Sequence, residues 1–390
     1  MKLLRTLPTR RLLALAGATL AAAIGAAVIA VVALGGSGPT PPPKALDQAL
    51  HDAFAAPEPA GITARVTFTN HLFPSGAILG QTGSALMSGA SGRLWMTADG
   101  RGRLELQSEA GDAQIVWNGN ELSVYDASSN TVYRATLPDK ATTPGTDSTD
   151  QPPTLDQIST WLAKLSEHAA LSDAVPDNVA GQPAYTVTIS PKHDGGLLGS
   201  AELAWDAAEG VPLRAAIYAQ GSSTPVLALT ATDISYGPVA SSDVDVAPPA
   251  SAKVVDLGGP STGQGGSYTP STSGVDAVQA AVSFPLVAPD SLVGLPRQTV
   301  QLLDSGDSKG ALIVYGHGLG AVLVVERPAD ASSGKSQLDV LPKVSIDGVT
   351  GHELATQIGT VIEFERTGLS FVLAGSLPPP AAEAAARAIG

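Results

Sequence analysis

SGRLWMTADGRGRLELQSEAGDAQIVWNGNELSVYDASSNTVYRATL, residues 91–137, breaks at its turn signals into the extended runs Arg93–Thr97, Arg101–Gln107, Gln114–Trp117, Glu121–Tyr125 and Thr131–Arg134. The breaks are Ala98-Asp99-Gly100, Ala110-Gly111-Asp112, Asn118-Gly119-Asn120 and Ser128-Ser129-Asn130, and the Asn-Gly step is a strong hairpin signal. Short runs joined by tight turns predict successive antiparallel strands. In the second run Arg101, Arg103, Glu105 and Gln107 fall on one face, and Leu104 and Leu106 on the other. One side of the sheet is therefore wet and the other dry, and something apolar must cover the dry side.

Working outward, Ala45–Ala56 carries Leu46, Ala49, Leu50, Ala53 and Phe54 at helical spacing and stops before Pro57. Ile62, Ala64, Val66 and Phe68 then alternate with Thr63, Arg65, Thr67 and Thr69, a half-buried strand. Downstream, residues 141–153 are rich in Thr, Asp, Pro and Gly and predict a loop. Thr154-Leu155-Asp156-Gln157 then opens a helix like a capping box, with Leu155, Ile158, Trp161, Leu162 and Leu165 on one side. Four more strands are expected over Tyr185–Ile189, Ala201–Trp205, Leu213–Tyr218 and Val226–Thr230, and Val246–Val254 closes the unit. The two amphipathic helices are the expected cover for the dry face. Packed tightly they make an ordinary core; packed loosely they line a cleft for an acyl chain.

Leu257–Gly274 is Gly/Ser/Thr/Pro-rich without periodicity and reads as a flexible linker. Beyond it, Thr299–Leu303, Leu312–Tyr315, Ala321–Glu326, Lys343–Ile346, Val361–Glu365 and Leu369–Leu373 are extended runs, and Ala381–Ile389 is a short alanine-rich helix. The expected organisation is a signal anchor and proline spacer over 1–43, a first domain over 44–256, a linker over 257–274 and a smaller α+β domain over 275–390.

The 390 residues hold 22 Lys plus Arg against 36 Asp plus Glu, a formal charge of -14. Lys2, Arg5, Arg10 and Arg11 are the only charges of residues 1–43, so the remainder is more acidic still. Such a body repels phosphate backbones, and no basic stripe reverses the sign locally, which argues against nucleic acid as a partner. With no cysteine there can be no disulfide, thiolate metal site, thiol nucleophile or cysteine-linked lipid anchor. After the basic flank, Leu12–Leu34 runs 23 residues without a charge, long enough for a bilayer-spanning helix and longer than the apolar part of most secretory leaders. The expectation is a single-pass anchor with its N-terminus inside and its body outside the cytoplasmic membrane. Cleavage near Val31-Val32-Ala33, giving a secreted body, is the alternative.

No catalytic constellation stands out. The six histidines at 51, 71, 168, 193, 317 and 352 are scattered, and no serine occupies a Gly-x-Ser-x-Gly elbow. His352-Glu353 lacks the second histidine of a metalloprotease helix. Gly316-His317-Gly318-Leu319-Gly320 lies between two strand-like runs, so it reads as a glycine-rich hairpin rather than a phosphate loop, which needs a helix after it. The acidic pairs Asp243/Asp245 and Glu363/Glu365 read as solvated faces of strands. The expectation is no enzyme, no cofactor and no metal.

The order of parts resembles a known family. An N-terminal helix and an alternating strand precede Gly92-Arg93-Leu94-Trp95-Met96, then Ile115-Val116-Trp117-Asn118-Gly119-Asn120-Glu121-Leu122-Ser123-Val124-Tyr125-Asp126, and Val246-Ala247-Pro248-Pro249 leads the closing strand. Over about Ala45–Asp256 this is similar to the LolA-like lipoprotein carriers and their relatives LppX/LprG and RseB. The resemblance implies a mainly β, α+β fold: an unclosed antiparallel β-barrel with a helical lid, whose apolar cavity binds acyl chains of lipids or lipoproteins without reacting with them. On this chain the lining positions would be Val66, Phe68, Leu104, Leu106, Ile115, Trp117, Leu203 and Trp205, with Trp161, Leu162 and Leu165 from the lid. The family's carrier has a basic latch residue shortly after the strand aromatic, where this chain has Thr97-Ala98-Asp99. RseB-like proteins add a small β-rich domain behind a linker and bind the exported part of an anti-sigma factor, so a membrane-protein partner is the alternative that the resemblance implies. Phe284–Ile389 is also similar to a small domain found behind LolA-like domains in Gram-positive proteins.

Overall fold

The computed structural model describes residues 38–72, 84–136, 152–192, 196–256, 272–304, 309–329 and 341–389. The candidate span Leu12–Leu34, most of the 141–153 loop and most of the linker lie outside them. Among the described residues no helix is long and apolar enough to cross a membrane.

The meander expected from residues 91–137 is present. Strands β1 (Gly61–Asn70), β2 (Ala90–Thr97), β3 (Gly102–Ser108), β4 (Gly111–Asn118), β5 (Glu121–Asp126) and β6 (Thr131–Thr136) pair antiparallel in sequence order. Strands β7 (Ala169–Leu171), β8 (Val175–Val179), β9 (Gln182–Pro191), β10 (Leu198–Asp206), β11 (Pro212–Ala219) and β12 (Pro225–Tyr236) build the other half. β12 returns beside β1, so the path runs β6-β5-β4-β3-β2-β1-β12-β11-β10-β9-β7, with β8 also on β9. The last strand, β13 (Lys253–Asp256), joins the far edge parallel to β6. β13 and β7 end the path without pairing with each other, so the sheet curls into an unclosed half-barrel.

Alternation sets the two faces as the sequence predicts. Ile62, Ala64, Val66 and Phe68 of β1 and Leu104 and Leu106 of β3 are buried in one apolar cluster. On the wet face Trp95 lies between the guanidiniums of Arg93 and Arg103, 5.5 and 5.0 Å from its ring centre. The chain after β12 crosses this wet face. Helix Ser241–Val244 lies over β2 and β3, Arg103 donates to the Asp243 carbonyl (3.0 Å) and Arg101 binds the Asp245 carboxylate (2.6 Å). Asp243 and Asp245 thus belong to a short helix and its cap rather than to an exposed strand.

The cover of the dry face differs from expectation. Helix α1 (Leu46–Ala55) does lie on it, packing Leu46, Ala49, Leu50 and Ala53 against Tyr185, Val187, Leu203 and Trp205. Over β1, β3 and β4 the cover is instead α2 (Ala85–Ser88), carried on the β1–β2 connection, with Ala85 fully buried. Helix α3 (Leu155–Leu165) opens with the expected capping box, Thr154 and Gln157 bonding reciprocally at 2.9 and 3.3 Å, but it packs chiefly on α1. Helix α2 runs into β2 through Gly89 alone, which holds it beside the face it covers, as α3 is not held.

The second unit is an eight-stranded antiparallel sheet in the order β14-β15-β16-β17-β21-β20-β19-β18. Its strands are β14 (Ser291–Leu292), β15 (Leu295–Asp304), β16 (Lys309–Tyr315), β17 (Val322–Pro328), β18 (Lys343–Ile346), β19 (Val349–Ala355), β20 (Thr360–Arg366) and β21 (Leu369–Gly375). Helices Val275–Ala281 and Pro379–Arg387 pack on it over a core that includes Ile313, Ile362, Phe364 and Phe371. The glycine-rich motif is the β16–β17 hairpin, with one short 3-10 turn over Gly318–Gly320.

Candidate functional site

The eleven positions singled out as lipid-lining fall into three groups. Val66, Phe68, Leu104, Leu106, Ile115 and Trp117 belong to the cluster under α2. Leu203 and Trp205 belong to the cluster under α1, where the Trp205 and Tyr185 rings stand 6.1 Å apart. The register Phe68–Leu229–Ala215–Leu203 carries one face from β1 to β10, so the two clusters share one continuous dry face. The third group, Trp161, Leu162 and Leu165, stays on α3 and joins neither cluster.

The seating of α3 is incomplete. Ile158 is buried, Trp161 and Leu162 are half-buried, and Leu155 and Leu165 remain 38% and 44% exposed. An amphipathic helix whose apolar stripe is only half covered has lost part of the burial that normally holds it in place. Trp117 is fixed differently. Its indole N–H donates to the Gly100 carbonyl at 3.0 Å, and its ring lies over Gly102, where an added Cβ would come within 2.0 Å of it.

The two ends of the half-barrel are unlike. At the end where β1 starts, Pro57, Ile62, Met96, Val211 and Pro212 floor a shallow open depression rimmed by Glu58 and Glu209. Close by, the Tyr236 hydroxyl donates to Asp206 at 2.7 Å, and burial followed by this carboxylate raises the phenol above its ordinary range. At the end where β1 finishes, three of the contacts among the described residues tie on the smaller sheet. Gln357, in the β19–β20 turn, donates to the His71 carbonyl (2.6 Å). The amides of Leu197 and Leu198 donate to the Ser376 carbonyl and hydroxyl (2.9 and 2.6 Å). The His168 and His317 rings stack in parallel, 5.0 Å between centres. Nothing in the sequence paired these residues, because each contact joins positions more than a hundred residues apart.

Among the described residues the smaller sheet holds one buried acid, Glu326 on β17. One of its carboxylate oxygens accepts the Val287 N–H at 3.0 Å, the other has no hydrogen-bond partner, and burial pushes its pKa up to about 7. Tyr315, also buried, is pushed up to about 12. Among the described residues no group of three or more His, Asp or Glu side chains is placed to hold a metal ion. What the arrangement offers is a long dry face covered by α1 and α2, with a partly seated helix, α3, packed on α1.

No protein-family model and no curated protein matches the chain. Among solved structures it is similar to MucB in complex with MucA(peri), at 14% identity and a TM-score of 0.42, over 87% of this chain and 95% of that one. The Pseudomonas aeruginosa MucA/MucB complex is similar at 14% identity and a TM-score of 0.41, with the same coverage. A LolA superfamily protein from Nitrosomonas europaea is similar at 8% identity and a TM-score of 0.18, over 85% and 90% of the two chains.

Proposed function

We propose that this chain is a non-catalytic binding protein, displayed outside the cytoplasmic membrane, that takes an acyl chain of a lipid or lipoprotein between the dry face of its half-barrel and the helices above it. The observation that supports this most is α3, an apolar-faced helix that rests on α1 with Leu155 and Leu165 exposed and Trp161 and Leu162 half-covered. An acyl chain laid under or beside α3 completes its burial, at about 0.8 kcal/mol for each methylene removed from water. The acidic body suits an uncharged or cationic ligand surface better than an anionic one.

A second reading, a regulator that grips a membrane protein of the anti-sigma-factor type, draws on the two-sheet arrangement. The smaller sheet sits across one end of the half-barrel, so filling the groove and moving that sheet would be linked.

Leu104→Asp and Trp117→Asp place a carboxylate on the dry face, where its desolvation costs several kcal/mol unless water reaches it. Titration with a fluorescent fatty-acyl probe should show capture by the wild-type chain and its loss in both variants, with far-UV circular dichroism confirming an intact sheet. Undiminished capture in both folded variants overturns the groove assignment.

A further inference from the structure

The β19–β20 turn, Thr356-Gln357-Ile358-Gly359, departs from ordinary turn chemistry. Turn tips favour Gly, Asn, Asp, Ser and Pro, which tolerate solvent and tight backbone angles; this one presents a β-branched aliphatic residue. The turn is rigidly built. The Thr356 N–H and hydroxyl donate to the Gly359 carbonyl at 2.9 and 2.7 Å, and the same hydroxyl accepts the Ile358 and Gly359 amides at 3.3 and 3.1 Å. Gly359 is required because a Cβ there would stand 2.4 Å from the Gly375 carbonyl oxygen. The turn holds Ile358 outward from its own sheet, and the side chain packs on the apolar cluster of the other unit, the one containing Phe68, Leu104 and Leu106. Beside it Gln357 binds the His71 carbonyl at the end of β1.

We propose that this turn is a built-in plug: Ile358 occupies the mouth of the dry groove at the end where β1 finishes, in the place an acyl terminus takes, and has to withdraw for the groove to fill. The inference rests on the acyl-binding reading above and names the regulation of that site. Among the described residues the plug is held by one hydrogen bond from an exposed glutamine and by one half-buried aliphatic side chain. An acyl chain buries many more methylene groups than one isoleucine offers. The Leu197/Leu198–Ser376 and His168–His317 contacts keep the smaller sheet at the same end, so a withdrawn turn remains close enough to return. Plug and ligand exclude one another, and whatever pulls the smaller sheet away raises acyl affinity.

The test uses the full chain in membranes of an expressing host and a diazirine-bearing fatty acid, photolysed at sub-saturating concentration, with crosslinks to β3 and β4 quantified by peptide mass spectrometry. Ile358→Asn keeps good turn chemistry while withdrawing the aliphatic plug, and should raise crosslinking at least about fivefold, because the unplugged fraction no longer limits apparent affinity. The chain has no cysteine, so His71→Cys with Gln357→Cys can be joined by a disulfide-containing bis-maleimide spacer that holds the turn in place. The joined form should crosslink at least about fivefold less than wild type, and reductant should restore the yield. Equal yields in wild type, Ile358→Asn and the joined form overturn the plug and leave the groove standing. Absence of crosslinks in every form overturns the groove reading, and the plug with it.

Discussion

Trp117 shows how much of the groove is decided one residue at a time. Its ring has room only because position 102 is a glycine: a Cβ there would come within 2.0 Å of the ring. Gly102→Val should therefore expel the indole and lower stability by about 2–3 kcal/mol, read as a shifted urea midpoint with unchanged slope. A midpoint within error of wild type would show that the ring does not depend on that space. Glu326 makes the complementary point for the smaller sheet. Its folded pKa of about 7 stands above the unfolded value of 4.5, so the folded state holds the proton longer. Stability is then highest below pH 4.5 as far as this group is concerned, falls as pH rises from 4.5 to 7, and levels off above, a loss of roughly 3 kcal/mol. Glu326→Gln should abolish that fall and leave the variant more stable than wild type at pH 8 in denaturant titrations. A wild-type profile that does not change on substitution contradicts the burial argument. Neither the ring contact nor the buried acid was legible in the sequence. Glu326 reads as the polar end of an apolar run, and its burial beside the Val287 amide, 39 positions away, has no signal in the sequence.

At the scale of elements, what could be read is what alternates. Residues 91–137 and 61–70 have clean period-two patterns and clear turns, and their strands, order and faces follow from them. Trp95 is ambiguous by pattern, because its neighbours Leu94 and Met96 claim the dry face; the structure places its ring on the wet face between two arginines. Elements too short for a period were not visible. Helix α2 has four residues, β7 has three, and β8 carries Pro176, Asp177 and Asn178 in an unpatterned run. The pattern gave α3 an apolar stripe but not its place, since a stripe fits the back of α1 as well as the sheet. That loose placement has a dynamic consequence. Hydrogen exchange of α3 amides should be faster than that of β3 by orders of magnitude in the unliganded chain, because α3 can open without exposing the main cluster. Added fatty acid should slow α3 selectively. Protection of α3 equal to that of β3 without ligand would mean that the helix is a fixed part of the core.

At the scale of the whole molecule, two open sheets meet at one end of the larger, and that end is where the dry face is stoppered by Ile358. Such an arrangement was out of reach from the sequence. Residues 71, 168, 196–198, 317, 357 and 376 share no local pattern and are brought together only when both sheets have formed. The acidic charge and the absence of cysteine, by contrast, are properties of the chain that no folding changes, and they confine the partners to ones that such a surface tolerates. The measurement that bears most directly on the central claim is native mass spectrometry with organic extraction on residues 38–390, exported from a bacterial host and purified without detergent. The fragment starts at Gly38 because the carbonyls of Pro39 and Pro42 accept hydrogen bonds from Asn178 and Tyr185. The groove reading predicts a co-purifying lipid or acylated peptide at near one per chain, or stoichiometric uptake of an added fatty-acyl probe. A folded protein that arrives empty and takes up no probe would contradict it.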